Sequence, residues 1–237
     1  MRTMRADYWA VVLVFGAAAA AWAGPLTIVK TLPGFFDDIG TSGINLNIKG
    51  DESAVINTTI GNLVFPAGRV AVSNNGGAGF APPDDKLDPV NEPIPSNKAF
   101  GKGQSALAYW DDIGNDVGGV RWQQKRTDAG DVLIIQWHNR LLEGTPDQVR
   151  FQIKIFSDPG PDSIYAQFIY DDIERPAANG GVSATIGYQD GGAGFNDVQW
   201  SFNTAKAVAN ATVLSVVPEP QTLGLLALGM LVLARRR

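Results

Sequence analysis

The chain reads as an all-β protein: one antiparallel, sandwich-like domain between two targeting segments. Three observations predict this. Helical periodicity is almost absent between Pro25 and Val217. Short β-branched and aromatic runs recur there, separated by clusters of Gly, Pro, Asn and Asp. Finally, an apolar stretch with flanking arginines stands at each end of the 237 residues. The expected division is 1–23 signal peptide, 24–216 β domain and 217–237 sorting segment.

The first segment has a positive start, Arg2 and Arg5, followed by the apolar run Tyr8–Ala21 and by Ala21-Trp22-Ala23. This is the order of a cleavable secretory signal, with a small-x-small cleavage site. Cleavage is expected after Ala23, leaving Gly24 as the mature N-terminus. Export then involves signal peptidase and the secretion machinery. The chain has no cysteine, so disulfides, cysteine-ligated metal sites and thiol nucleophiles are excluded. Its net charge is −5, and removing both ends takes away more arginines than acidic residues. Nucleic acid is therefore not expected as a partner, because phosphate binding needs clustered Lys and Arg.

Strands are expected in order at Leu26–Leu32, Ile44–Lys49, Ala54–Ile60, Arg69–Ser73, Ala106–Trp110, Gly118–Gln124, Val132–Asn139, Arg150–Phe156, Ile164–Tyr170, Ser183–Tyr188 and Val213–Val216. In Val149–Phe156 the residues Val149, Phe151, Ile153 and Ile155 share one face, and Arg150, Gln152 and Lys154 share the other. Val132–Trp137 is continuously apolar apart from Gln136, as a central strand buried on both faces would be. Asn74-Asn75-Gly76-Gly77 supplies a turn with positive φ, and Asp158–Asp162 supplies a hairpin loop. Ala81–Pro95 holds five prolines among acidic residues and reads as an extended, exposed loop.

The far end is the most specific part of the chain. Val217-Pro218-Glu219-Pro220 precedes the apolar run Thr222–Ala234 and then Arg235-Arg236-Arg237. Thirteen residues of helix span about 20 Å, short of the roughly 20 residues that a bilayer core requires. The prolines interrupt a helix upstream, and the arginines form a cytoplasmic stop. These residues resemble the PEP-CTERM sorting signal. The resemblance implies an exosortase, a membrane cysteine protease-transpeptidase, as the processing partner. Pro218, Glu219 and Pro220 would be its recognition residues. The protein would be held briefly in the inner membrane and then pass to the cell surface or extracellular matrix.

Within the middle, Val70–Gly77 ending in Phe80, Tyr109-Trp110-Asp111-Asp112, Phe151–Phe156, Phe168–Ile173 and Ser183–Gln189 follow one another in an order that resembles the nidogen-like β domain. That resemblance implies an extracellular β-sandwich-like module, with no catalysis and no assigned binding residues.

Residues with chemical potential are few. His138 is the lone histidine, so any Ser–His–Asp relay must use it. Its place at the end of an apolar strand predicts a bond to backbone instead. Carboxylates come in adjacent pairs, Asp37-Asp38, Asp84-Asp85, Asp111-Asp112 and Asp171-Asp172. Neighbours on a strand point to opposite faces, which argues against a glycosidase pair. Asp111, Asp112, Asn115 and Asp116 cluster closely enough to offer oxygens to calcium, though not in EF-hand spacing. No other cofactor is indicated. Trp110, Trp122, Trp137 and Trp200 would stack on sugar rings only if exposed. The expected function is that of an exported, non-catalytic structural or adhesive protein. The rival is a carbohydrate-binding module for exopolysaccharide; other surface proteins are further candidate partners.

Overall fold

The computed structural model describes residues 25–31, 35–114, 117–127, 130–157 and 164–219. Its strands are β1 (Leu26–Thr31), β2 (Ile44–Asn45), β3 (Ser53–Thr58), β4 (Gly68–Ser73), β5 (Gly77–Phe80), β6 (Ser105–Trp110), β7 (Gly119–Thr127), β8 (Gly130–Leu141), β9 (Gln148–Phe156), β10 (Ala166–Asp172), β11 (Thr185–Gln189), β12 (Val198–Phe202) and β13 (Val213–Pro218). They form a seven-stranded sheet, β1-β13-β10-β9-β8-β7-β2, and a six-stranded sheet, β12-β11-β6-β5-β4-β3. All the strand pairings are antiparallel.

The inner faces meet in one apolar cluster. Val149, Phe151, Ile153 and Ile155 of β9 are all fully buried in it, as their alternation predicts. They pack with Val70 and Val72 of β4 and with Ala106 and Ala108 of β6. Trp137 stacks on Phe151 at 4.9 Å between ring centroids, and its indole N–H donates to the Ser73 and Asn74 carbonyls at 3.0 Å. The Tyr170 hydroxyl donates across the core to the Ala108 carbonyl at 2.6 Å. Large aromatics fill the space between the layers, and the Trp137 indole and the Tyr109 and Tyr170 hydroxyls each donate to a backbone carbonyl, while the Tyr188 hydroxyl bonds the Gln104 and Asp190 side chains.

β6 departs from simple alternation. Its register with β11 slips by a bulge between Thr185↔Trp110 and Gly187↔Leu107. Ala108 and Tyr109 therefore both belong to the central cluster, whereas Leu107 and Trp110 face the opposite side of the sheet. That outer side has a core of its own, in which Leu107, Trp110 and Ala71 meet Leu87, Ala99 and Phe100. The proline-rich segment expected to be an exposed loop is thus folded back on the sheet. Leu87 bridges Ala99, and the Trp110 indole N–H donates to the Asp88 carbonyl at 2.6 Å. Glycine makes this possible in β5, since a Cβ at Gly79 would lie 2.7 Å from the Phe100 ring.

The outer face of the larger sheet is covered in part by residues 35–40. Ile39 packs on Val132 and Ile134 of β8, and its N–H donates to the Gln136 side chain at 2.8 Å. β8 is buried on both faces, as its apolar run predicts. Elsewhere the expected boundaries shift. Only Ile44–Asn45 of the Ile44–Lys49 run is strand. β5 and β12, which hold Gly-Ala-Gly-Phe and Val-Gln-Trp-Ser-Phe, were not expected as strands. The Asp158–Asp162 loop lies outside the described residues, but β9 and β10 on either side of it are paired as a hairpin requires.

Candidate functional site

The C-terminal motif does not hang free of the domain. β13 continues through Val217 and Pro218, beyond the Val216 boundary expected from sequence. β1 runs antiparallel beside it, with Thr27 opposite Val217 and Leu26 opposite Pro218. One step further, the Glu219 N–H donates to the Pro25 carbonyl at 2.8 Å. Hydrogen-bonded and non-hydrogen-bonded pairs alternate along an antiparallel ladder. The Glu219 bond therefore places Val217 in a hydrogen-bonded pair with Thr27. Pro218 falls in a non-hydrogen-bonded position, where its missing N–H costs the β1 ladder nothing. On the other flank, β10 accompanies β13 only to Val216, whose carbonyl accepts from the Tyr165 N–H at 3.0 Å. From Val217 onward, β1 is the strand paired with the motif among the described residues.

β1 is itself an edge strand, and its start is pinned from outside. The Asn196 side-chain oxygen accepts from the Leu26 N–H, and its amide donates to the Leu26 carbonyl at 3.0 Å. One side chain thus satisfies both Leu26 backbone groups as a further strand would. Asn196 is placed by the turn after β11. There the Asp190 carboxylate accepts the N–H groups of Gly192, Gly194 and Phe195 at 3.0–3.2 Å, and the Asp190 N–H donates to Asp197 at 2.8 Å. No local pattern marks Asn196, and sequence reasoning did not find it. Only the turn residues Asp190-Gly191-Gly192 beside it are contiguous enough to signal themselves in sequence.

Pro218 and Glu219 are thereby located. Ala23, Gly24, Pro220 and Arg235–Arg237 lie outside the described residues. Pairing of Pro25 with Glu219 brings the residue after Gly24 against the residue before Pro220. Among the described residues no helix is long and apolar enough to cross a membrane. The apolar run Thr222–Ala234 lies outside them.

The carboxylate corner after β6 holds two adjacent aspartates. Asp111 is buried, accepts the Ser183 hydroxyl at 2.6 Å, and accepts the Asp112 N–H at 2.9 Å. Burial pushes its carboxyl up to about 6. Asp112 is exposed, and its carboxyl is raised by desolvation and by the charges of Asp51 and Glu143. The two carboxylates thus sit in different surroundings, one buried on Ser183 and one exposed. Asn115 and Asp116, the other two expected calcium ligands, lie outside the described residues. Among the described residues no group of three or more His, Asp or Glu is placed to hold a metal ion. The remaining carboxylate pairs serve the fold: Asp37 meets Lys125 at 2.6 Å, Asp85 pairs with Arg69, Asp171 with Arg150 and Asp172 with Arg175.

His138 corrects one expectation. It lies inside β8, not at its end, and it bonds side chains in place of backbone. Nδ1 sits 3.0 Å from the Gln136 amide and 3.7 Å from Asp38. Burial lowers its pKa against the opposing pull of Asp38. No hydroxyl is hydrogen-bonded to it among the described residues, so the relay that a serine nucleophile needs is not assembled there. Trp110 and Trp137, with Tyr170 and Tyr188, are fully buried, and Trp122 and Trp200 are partly buried. Trp110 and Trp137 are therefore core residues, not sugar platforms.

Comparison with known families agrees with this geometry. A family model described as NIDO related matches residues 29–223. A second, described as the PEP-CTERM protein-sorting motif, matches residues 216–237. The two overlap across the end of β13, where the motif enters the sheet. No curated protein and no solved structure gives a match.

Proposed function

The chain belongs to the NIDO-related family and ends in a PEP-CTERM sorting motif, and on that premise we propose that its β-sandwich is a non-catalytic structural or adhesive module displayed outside the inner membrane. The motif marks the chain as an exported, surface-directed substrate of an exosortase. The observation that carries the proposal is the continuity of motif and fold. Pro218 and Glu219 extend an ordered strand of the sandwich, so whatever is sorted is the sandwich itself. Support for a non-catalytic role comes from the occupied chemistry. His138 is held by Gln136 and Asp38, and the aspartate pairs are spent on turns and ion pairs. The carbohydrate-binding alternative has less support, because Trp110 and Trp137 lie in the core.

The test is the intact mass of the protein recovered from its native host, compartment by compartment. The expected product begins at Gly24, ends near Pro218–Pro220 and lies outside the inner membrane. A full-length chain confined to the cytoplasm would refute the proposal.

A further inference from the structure

We propose that β1 and the processing enzyme compete for the same backbone edge, so that the mature N-terminal strand is an intramolecular clasp over the sorting motif. This rests on the reading that an exosortase processes the tail. An extended peptide is commonly recognised by strand addition, in which main-chain hydrogen bonds along its edge supply the affinity. The edge that the motif offers is set by the ladder described above. Val217 directs its N–H and carbonyl to β1, and Glu219 directs its N–H to Pro25. On the opposite flank the Val216 carbonyl is taken by the Tyr165 N–H, and Pro218 has no N–H to give. The motif has therefore no N–H donor on the β10 side between Val216 and Glu219. Every donor that an incoming strand needs faces β1.

The motif becomes readable when the first residues of β1 peel away. Three groups resist peeling: the Pro25–Glu219 bond, the Thr27–Val217 pair, and the Asn196 side chain that holds both backbone groups of Leu26. Asn196 touches neither the motif nor the enzyme's edge, so it acts as a positioning residue. Removing its two hydrogen bonds should raise the peeled fraction by about tenfold. The partner that fits this surface is a protein presenting its own extended edge to Val217 and Glu219 in place of β1.

The experiment uses the full chain in its native host, followed by pulse–chase and intact mass. In T27C/V217C a bridge would span a hydrogen-bonded pair, whose Cα separation of about 5.5 Å lies within disulfide reach. The chain has no other cysteine to interfere. The expected result is that the oxidised form keeps its tail in the inner membrane, and that the same variant, kept reduced, loses it. In the second variant, Asn196→Ala, the tail should be lost several-fold faster than in the wild type. Equal loss from oxidised and reduced T27C/V217C would overturn the clasp, as would an Asn196→Ala rate equal to or below that of the wild type. If the reduced double variant also keeps its tail, the Asn196→Ala rate decides alone. A wild-type chain that never loses its tail would refute processing itself, a distinct result from failure of the clasp.

Discussion

Replacing Asp111 with asparagine should stabilise the domain at neutral pH and leave it nearly unchanged in acid. The carboxyl is buried beside Ser183 and titrates at about 6 instead of 3.8, with desolvation as the main cause. A raised carboxyl favours its protonated form in the folded state. Its contribution to stability is thus fully present below about pH 4 and is lost as the pH rises through about 6. The shift corresponds to roughly 3 kcal/mol at most, and relaxation around a buried group reduces what is realised. Asparagine keeps the shape without the charge. Its oxygen accepts the Asp112 N–H, and its amide donates to a rotated Ser183 hydroxyl. A gain of about 2 kcal/mol at pH 7.5 is expected, near 6 °C in melting temperature for a domain of this size. Urea unfolding of the mature chain and the variant at pH 4, 5, 6 and 7.5 reads it directly. Their difference isolates Asp111 from the other carboxylates. A variant destabilised equally at pH 4 and pH 7.5 would refute the reasoning, because loss of the Ser183 bond would then outweigh the charge.

Two further outcomes follow from the packing. Gly76→Ala should destabilise by about 3 kcal/mol or more, because Gly76 sits at φ +85° and a Cβ there would lie 1.8 Å from the Tyr109 carbonyl oxygen. Soluble yield and urea midpoint report this, and a wild-type midpoint would count against it. Trp110→Phe should cost about 2 kcal/mol through the orphaned Asp88 carbonyl and the volume lost under the 81–100 segment. Limited proteolysis should then cut that segment first; resistance equal to wild type would show that it holds without Trp110.

The strand pattern was readable where a strand has one apolar and one polar face. β9 is the clearest case, since Val149, Phe151, Ile153 and Ile155 alternate without interruption and all four are buried. It failed where glycine replaces side chains. β5 is Gly-Ala-Gly-Phe, and its strand character comes from the ladders to β4 and β6 rather than from propensity. At Trp110 a bulge moves the indole from the inner face to the outer one. A bulge is a property of two strands in register, and a pattern in one of them does not contain it. Lone His138 was misplaced for a similar reason: its partner Asp38 is supplied by a segment far away in sequence.

The sequence by itself determined the class and the destination: an all-β domain, no thiol chemistry, and a terminal Pro-Glu-Pro motif with its apolar run and arginines. These are local properties, written in periodicity, composition and contiguous residues. Only the tertiary structure decided that the motif is zipped to β1, that Asn196 pins that strand, and that Asp111 is buried on Ser183 while Asp112 is exposed. Each of these depends on which backbone edge faces which across residues far apart in the chain. Hydrogen-bond direction alternates along every strand, so the register that brings Pro25 to Glu219 also fixes which edge of the motif stays covered.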